Sequence, residues 1–203
     1  MRQTIRIAIF LSFACAALAA FSNLAQAQKV DVAFGISTVD APPASDADGV
    51  NHLPVSLNGG TYPGFSGDVL FFHHMGIGGE VYWKASQGDY LGSGVPYRPF
   101  FYDVNAVYSP KLASHTYLEL LGGIGALSTR FYTGINCGQT GCTNYQDSNH
   151  FMGHFGAGIK FYPKGNFFVR PEAHLYLVNN NVDYSSARAV RYGLSIGYTF
   201  GGR

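Results

Sequence analysis

Beyond its first 27 residues this chain has no apolar run long enough to cross a bilayer as a helix, which takes about 20 residues. It is poor in charge: Asp, Glu, Lys and Arg make up 12% of it, against roughly 25% in soluble domains. It has no excess of either sign. The 13 basic and 12 acidic side chains nearly cancel, so no nucleic-acid partner is implied. Cysteine is scarce, with three in all. HExxH, a glycine-rich phosphate loop and zinc-finger spacing are all missing, which leaves metal and cofactor chemistry without a sequence motif. These gaps argue against a helical membrane protein and a nucleic-acid-binding domain, and give no support to a motif-bearing enzyme.

What is present is aromatic, glycine-rich and periodic, with 26 Gly, 14 Tyr and 16 Phe. At the N-terminus Arg2 and Arg6 precede the apolar stretch Ile7 to Ala20, and Ala25-Gln26-Ala27 has the form of a cleavage site. This pattern predicts a secretory signal peptide over 1–27 and one mature domain over 28–203. In the last stretch, RAVRYGLSIGYTF, Val190, Tyr192, Leu194, Ile196, Tyr198 and Phe200 alternate with Arg191, Gly193, Ser195, Gly197 and Thr199. A period of two is the mark of a strand with two unlike faces.

The same alternation predicts strands over 29–37, 61–72, 77–85, 100–108, 116–128, 150–162, 167–178 and 188–200. Leu121 and Leu127 fall on the otherwise polar side, and Pro171 marks a bulge or a locally unpaired position. The connections run long, short, long, short, long, short, medium. An even strand number with alternating loop length is the rhythm of an outer-membrane barrel, whose long loops are extracellular. Here those would be Thr38–Gly60, Ser86–Pro99, Thr129–Asn149 and Asn179–Ala187. The predicted fold is therefore all-β: an eight-stranded antiparallel up-and-down transmembrane β-barrel behind a cleaved signal peptide.

A soluble eight-stranded barrel would be apolar inside and charged outside. The polar faces here carry only one or two charges per strand among Gly, Ser, Asn and Tyr, which suits a narrow lumen. That face holds Glu80, Lys84, Asp103, Glu119, Lys160, Arg170, Glu172 and Arg191, joined by Lys29, Asp31 and Asp68. Buried charges must be paired, so a near-balanced salt-bridge network plugging the lumen is expected. A selective channel would show rings of one sign.

On its signal peptide, eight alternating strands, mixed-charge interior and terminal YGLSIGYTF, the mature chain resembles the small outer-membrane barrels of the outer membrane protein A and X type. Family members typically end their last strand at Phe, which the barrel-assembly machinery reads; here Gly201, Gly202 and Arg203 follow Phe200. No further domain is expected after the barrel, so the peptidoglycan-binding role of some relatives is not expected to carry over. The resemblance implies a monomer in the outer membrane of a Gram-negative-type bacterium, in contact with its lipids and lipopolysaccharide. The expected function is a structural or surface-interaction barrel working through its extracellular loops. The alternatives are a porin-like narrow pore or carrier for small hydrophobic solutes, and a lipid A-modifying enzyme.

The remaining chemistry is sparse. Ser148 and His150 sit two apart at the extracellular start of the sixth strand, in the reverse order to lipid A deacylases, and read as rim residues. His154 and His174 share the inward faces of neighbouring strands and read as hydrogen-bonding groups. No catalytic residue, cofactor or metal site is expected. Cys137 and Cys142, spaced C-x4-C in a loop of an exported chain, are expected to form a disulfide.

Overall fold

The computed structural model describes residues 29–41, 57–72, 74–89, 94–132, 134, 136–138, 141–179 and 187–201. The predicted signal peptide lies outside the described residues. Eight long strands form the barrel: β1 (Lys29–Asp40), β2 (Tyr62–Phe72), β3 (Met75–Trp83), β4 (Pro96–Tyr108), β5 (Thr116–Phe131), β6 (Gln146–Lys164), β7 (Phe167–Val178) and β8 (Arg188–Phe200). Each is antiparallel to its neighbours, and pairing of β1 with β8 closes the sheet. The predicted eight-stranded up-and-down barrel is the one observed.

The turns opposite the long loops are tight. Phe72 pairs with Met75 across the β2–β3 turn. Between β6 and β7, Gly165 has a φ of 57°, a left-handed conformation that glycine adopts without a Cβ penalty. The chain between β4 and β5 folds a short strand, Lys111–Ala113, back onto β5. Pro171 behaves as its chemistry requires. The ladder to β8 runs through it, whereas the ladder to β6 lapses between Glu172 and Val169.

Four strands run further than the alternation predicts, β1 to Asp40 and three others that adjoin one another. β4 begins at Pro96, β5 continues to Phe131 and β6 begins at Gln146. Gln146 pairs with Phe131, and Phe131 with Tyr97, so the three strands stand above the rest of the barrel as one extension. The loop between β5 and β6 also carries a small hairpin, Asn136–Gly138 with Gly141–Thr143, in a stretch whose sequence shows no alternation.

The outer face is apolar. Val104, Ile124, Phe151, Phe155, Leu194 and Ile196 are all more than half exposed. Aromatic rings gather towards its two rims. Phe167, Tyr198 and Phe200 pack edge to face at one end, and Phe65 contacts both Phe34 and Trp83 towards the other. A soluble barrel is excluded by this inversion, since the apolar side chains face out and the charges face in.

Candidate functional site

The lumen is the chemically dense region, and all eight strands build it. Because side chains alternate along a strand, inward positions at matching height form layers. In the layer nearer the tight turns, Lys160 Nζ lies 2.5 Å from Asp31 Oδ2 and 3.5 Å from Asp68 Oδ2, and contacts Glu119. Asp31 and Asp68 are direct partners in the β1–β2 register. Like charges so placed repel, and the shared lysine offsets that repulsion.

Arg170 links this layer to the next. Its Nη1 contacts Glu119, its Nη2 donates to Ser66 Oγ at 2.8 Å, and its Nε donates to Glu172 Oε2 at 2.7 Å. Arg191 completes the chain, with Nη2 2.9 Å from Glu80 Oε2, Nη1 3.2 Å from Glu172 Oε1 and Nε donating to Tyr176 Oη at 2.8 Å. Its guanidinium lies 3.4 Å over the Tyr82 ring centroid. Beside Glu80 stand His174 and His154, whose Nδ1 and Nε2 are 2.8 Å apart. Asn105 then joins His154 to Asp103.

The network is less balanced than the sequence suggests. It contains six buried carboxylates, from Asp31, Asp68, Glu80, Asp103, Glu119 and Glu172, against three buried permanent cations, Lys160, Arg170 and Arg191. Two lysines predicted to belong to it stand elsewhere. Lys29 is only partly buried and lies over the Tyr117 ring. Lys84, one residue past the long-loop end of β3, is buried against the Tyr97 ring and Gly60, and burial pulls its ammonium below the ordinary lysine range. Its long stem carries the charge past the rim, a displacement that face assignment cannot register.

Apolar lids close both ends of the charged belt. On the long-loop side Leu57, Tyr62, Tyr82, Phe101, Leu127 and Met152 are among a buried cluster, with Phe101 stacked on Tyr176 at 4.8 Å. At the other end Tyr162, Phe168 and Ala33 pack together, beside a second cluster of Leu70, Val107 and Leu121. The space there, bounded by Lys29, Asp31, Leu70 and Tyr117 among others, is about 10 Å³, room for a single water at most. The lids are the part that sequence reasoning missed. The available signal was position, because the apolar residues on the polar face sit near strand ends while the charges sit between them.

At the long-loop rim Ser148 Oγ is 3.1 Å from His150 Nε2, and His150 Nδ1 is 3.2 Å from the Asn179 carbonyl oxygen. His150 is buried and turned inward. The neighbouring Asp147 is engaged by Arg130 Nε at 3.0 Å. In the small hairpin Cys137 and Cys142 are direct partners in register.

No protein-family model matches the chain, and no curated protein matches it. Solved structures do. The chain is similar to Neisserial surface protein A, with a TM-score of 0.57 and 8% identity over 85% of this chain and 97% of that one. It is similar to a major outer membrane protein from Thermus thermophilus, with a TM-score of 0.57 and 14% identity over 86% and 100%. It is also similar to Ail, the attachment invasion locus protein of Yersinia pestis, solved with the heparin analogue sucrose octasulfate, with a TM-score of 0.52 and 15% identity over 85% and 97%. The fold is that of the small eight-stranded outer-membrane barrels.

Proposed function

We propose that this chain is an outer-membrane protein whose barrel is a closed structural plug and whose extracellular segments contact a partner outside the cell. One observation carries this reading: the lumen is filled from lid to lid by charged side chains and packed rings, leaving the outer segments as the chemically available surface. The alternative of a narrow pore or carrier needs a path that such packing does not provide. The extracellular loops Thr38–Gly60, Ser86–Pro99, Thr129–Asn149 and Asn179–Ala187 contain six aspartates (Asp40, Asp46, Asp48, Asp89, Asp147 and Asp183) but only two basic residues, Arg98 and Arg130. This balance suits a neutral or cationic partner and disfavours a sulfated polyanion of the kind bound in the Ail structure. Planar-bilayer recording tests the plug. The wild-type barrel is expected to show almost no steady ion flow, and large, steady conductance would replace this reading with a pore.

A second reading rests on the Ser148–His150–Asn179 arrangement, in which a hydroxyl, an imidazole and an orienting carbonyl follow the order of a nucleophile, its base and a support. It would make the protein an acyl-ester hydrolase at the outer leaflet. Mass spectrometry of lipid A decides the matter. A shift that depends on the intact gene and disappears in Ser148→Ala supports the hydrolase, and an unchanged lipid A profile in a deletion strain supports the structural role.

A further inference from the structure

We infer that the lumen holds a divalent transition-metal ion, of the zinc or cobalt class, between His154, His174 and Glu80. The inference starts from a conflict among hydrogen-bond acceptors. Asn105 Nδ2 donates to Asp103, which turns Asn105 Oδ1 towards His154 Nδ1 at 2.8 Å. A carbonyl oxygen only accepts, so His154 carries its proton on Nδ1 and presents a lone pair at Nε2. That lone pair faces His174 Nδ1 at 2.8 Å. If His174 also carries its proton on Nδ1, its bare Nε2 faces the Glu172 carboxylate at 3.7 Å. If the proton is on Nε2, two lone pairs meet at 2.8 Å, with Glu80 Oε2 only 3.3 Å from His174 Nδ1. Neither neutral arrangement satisfies the group, and a bound cation resolves it.

The geometry favours a metal ion in that role. His154 Nε2, His174 Nδ1 and Glu80 Oε2 are 2.8, 3.3 and 3.9 Å from one another. A tetrahedral ion with bonds of about 2.0–2.2 Å sets its ligand atoms roughly 3.3 Å apart, within the observed spread. His154 is oriented from behind by Asn105, as the outer partners of metal-binding histidines do, while Glu172 stands 3.7 Å behind His174 Nε2, which is buried without a hydrogen bond. The His174 ring also lies directly across Gly156, where a Cβ would come within 2.6 Å of Nδ1. Glu80 has further capacity. Arg191 occupies Oε2, but Oε1 is buried and receives no hydrogen bond, with Arg170 Nη2 standing 3.8 Å away. Six carboxylates against three permanent cations leave an excess of negative charge that a dication reduces. Two nitrogens and one carboxylate select zinc, cobalt or a neighbour over calcium and magnesium, which prefer oxygen ligands.

The test folds the full mature chain into detergent micelles with Co(II) present from the start, because the lids close both ends of the lumen, and then removes free ion by gel filtration. The wild type is expected to retain about one cobalt per chain, with visible d–d bands of a nitrogen-ligated site. Calcium is not retained. Asn105→Ala, which removes the support behind His154 together with a donor to Asp103 and leaves the three ligands in place, is expected to weaken retention by ~10–100-fold. The double variant His154→Gln/His174→Gln is expected to lose the bands while keeping the mobility of a folded barrel. Should that variant fail to fold, hyperfine-shifted imidazole N–H resonances in the cobalt-loaded wild type identify the ligands instead. A folded wild type without cobalt, or one whose cobalt shows no imidazole signature, overturns the inference. Absence of cobalt would assign the missing charge to a proton shared by the two histidines.

Discussion

Arg170 and Arg130 lie in the same closed sheet and each faces a carboxylate, yet their settings are opposite. Arg170 is inside the barrel, 1% exposed, and is held by Glu119, Glu172 and Ser66 at once. Arg130 is on the extension above the barrel, in a single pair with Asp147 at 3.0 Å, with both side chains about a third exposed. It also lies over the rings of Tyr145 and Phe100. The difference teaches where charge is structural in this molecule. Inside, water cannot replace a lost partner, so each pair holds its neighbours in place. Outside, water takes over at once, and the same chemistry contributes little.

The comparison is tested most strongly by Arg170→Ala. It removes the guanidinium that joins Glu119 to Glu172, leaving only Lys160 and Arg191 to offset six carboxylates, and is expected to destabilise the barrel by ~3–5 kcal/mol. Denaturant unfolding in detergent, followed by the mobility shift of the folded barrel, gives the value. A loss below the size of the Arg130 effect would erase the contrast. Pairing Arg170→Met with Glu119→Gln removes both a cation and an anion, and should recover part of the loss.

Next in size is a charge placed on the opposite face. Leu194 is about half exposed on the outer side of β8. Leu194→Arg is expected to cost ~2–4 kcal/mol near the bilayer midplane, measured by the same unfolding in lipid vesicles. The penalty should be larger in lipid than in a soluble-barrel setting, where an outward arginine is harmless. Equal stability of variant and wild type in vesicles would contradict the assignment of this face to lipid.

The barrel was legible in the sequence because a membrane makes each strand declare both faces. Val32, Phe34 and Ile36 against Asp31, Ala33 and Gly35 already separate lipid from lumen. Where the membrane ends, that signal ends too. Residues 96–99, 129–131 and 146–149 are strand, but their sequence does not alternate between apolar and polar residues. Leu121 and Leu127 looked out of phase for a related reason. They do face inward, but into the lids rather than into the charged belt. Lumen membership was readable from parity, as for Asp103, Glu119 and Lys160. Who pairs with whom was not, because pairing depends on register between strands far apart in sequence. Lys160 and Asp31, 129 positions apart, meet only after closure.

A smaller effect belongs to the hairpin above the barrel. Cys137 and Cys142 are opposed in register within an exported loop, and the proposed disulfide is expected to add ~2 kcal/mol or less to loop order in the chain-entropy model. Non-reducing peptide mapping should recover the two cysteines in one linked peptide, and two free thiols would remove the bond from the account. Reduction should raise protease sensitivity of the loop without altering the unfolding of the barrel.

The smallest expected effect is that of Arg130→Ala, and it sets the scale for all the others. The hydrogen bond from Arg130 to Asp147 raises a guanidinium pKa that is already high, so the arginine stays charged across the pH range in which the barrel can be handled. Its loss leaves Asp147 hydrated, with no buried charge stranded, and should cost about 0.2–1 kcal/mol. The contribution should fall further as salt is raised, since an exposed pair is screened over a Debye length of about 10 Å at 0.1 M. The Arg170 effect should change far less with salt, because ions do not enter the closed lumen. Measuring both variants at low and high ionic strength therefore separates the two regions independently of their size. Matching salt dependence would mean that water and ions reach Arg170, and the lids would then not be seals.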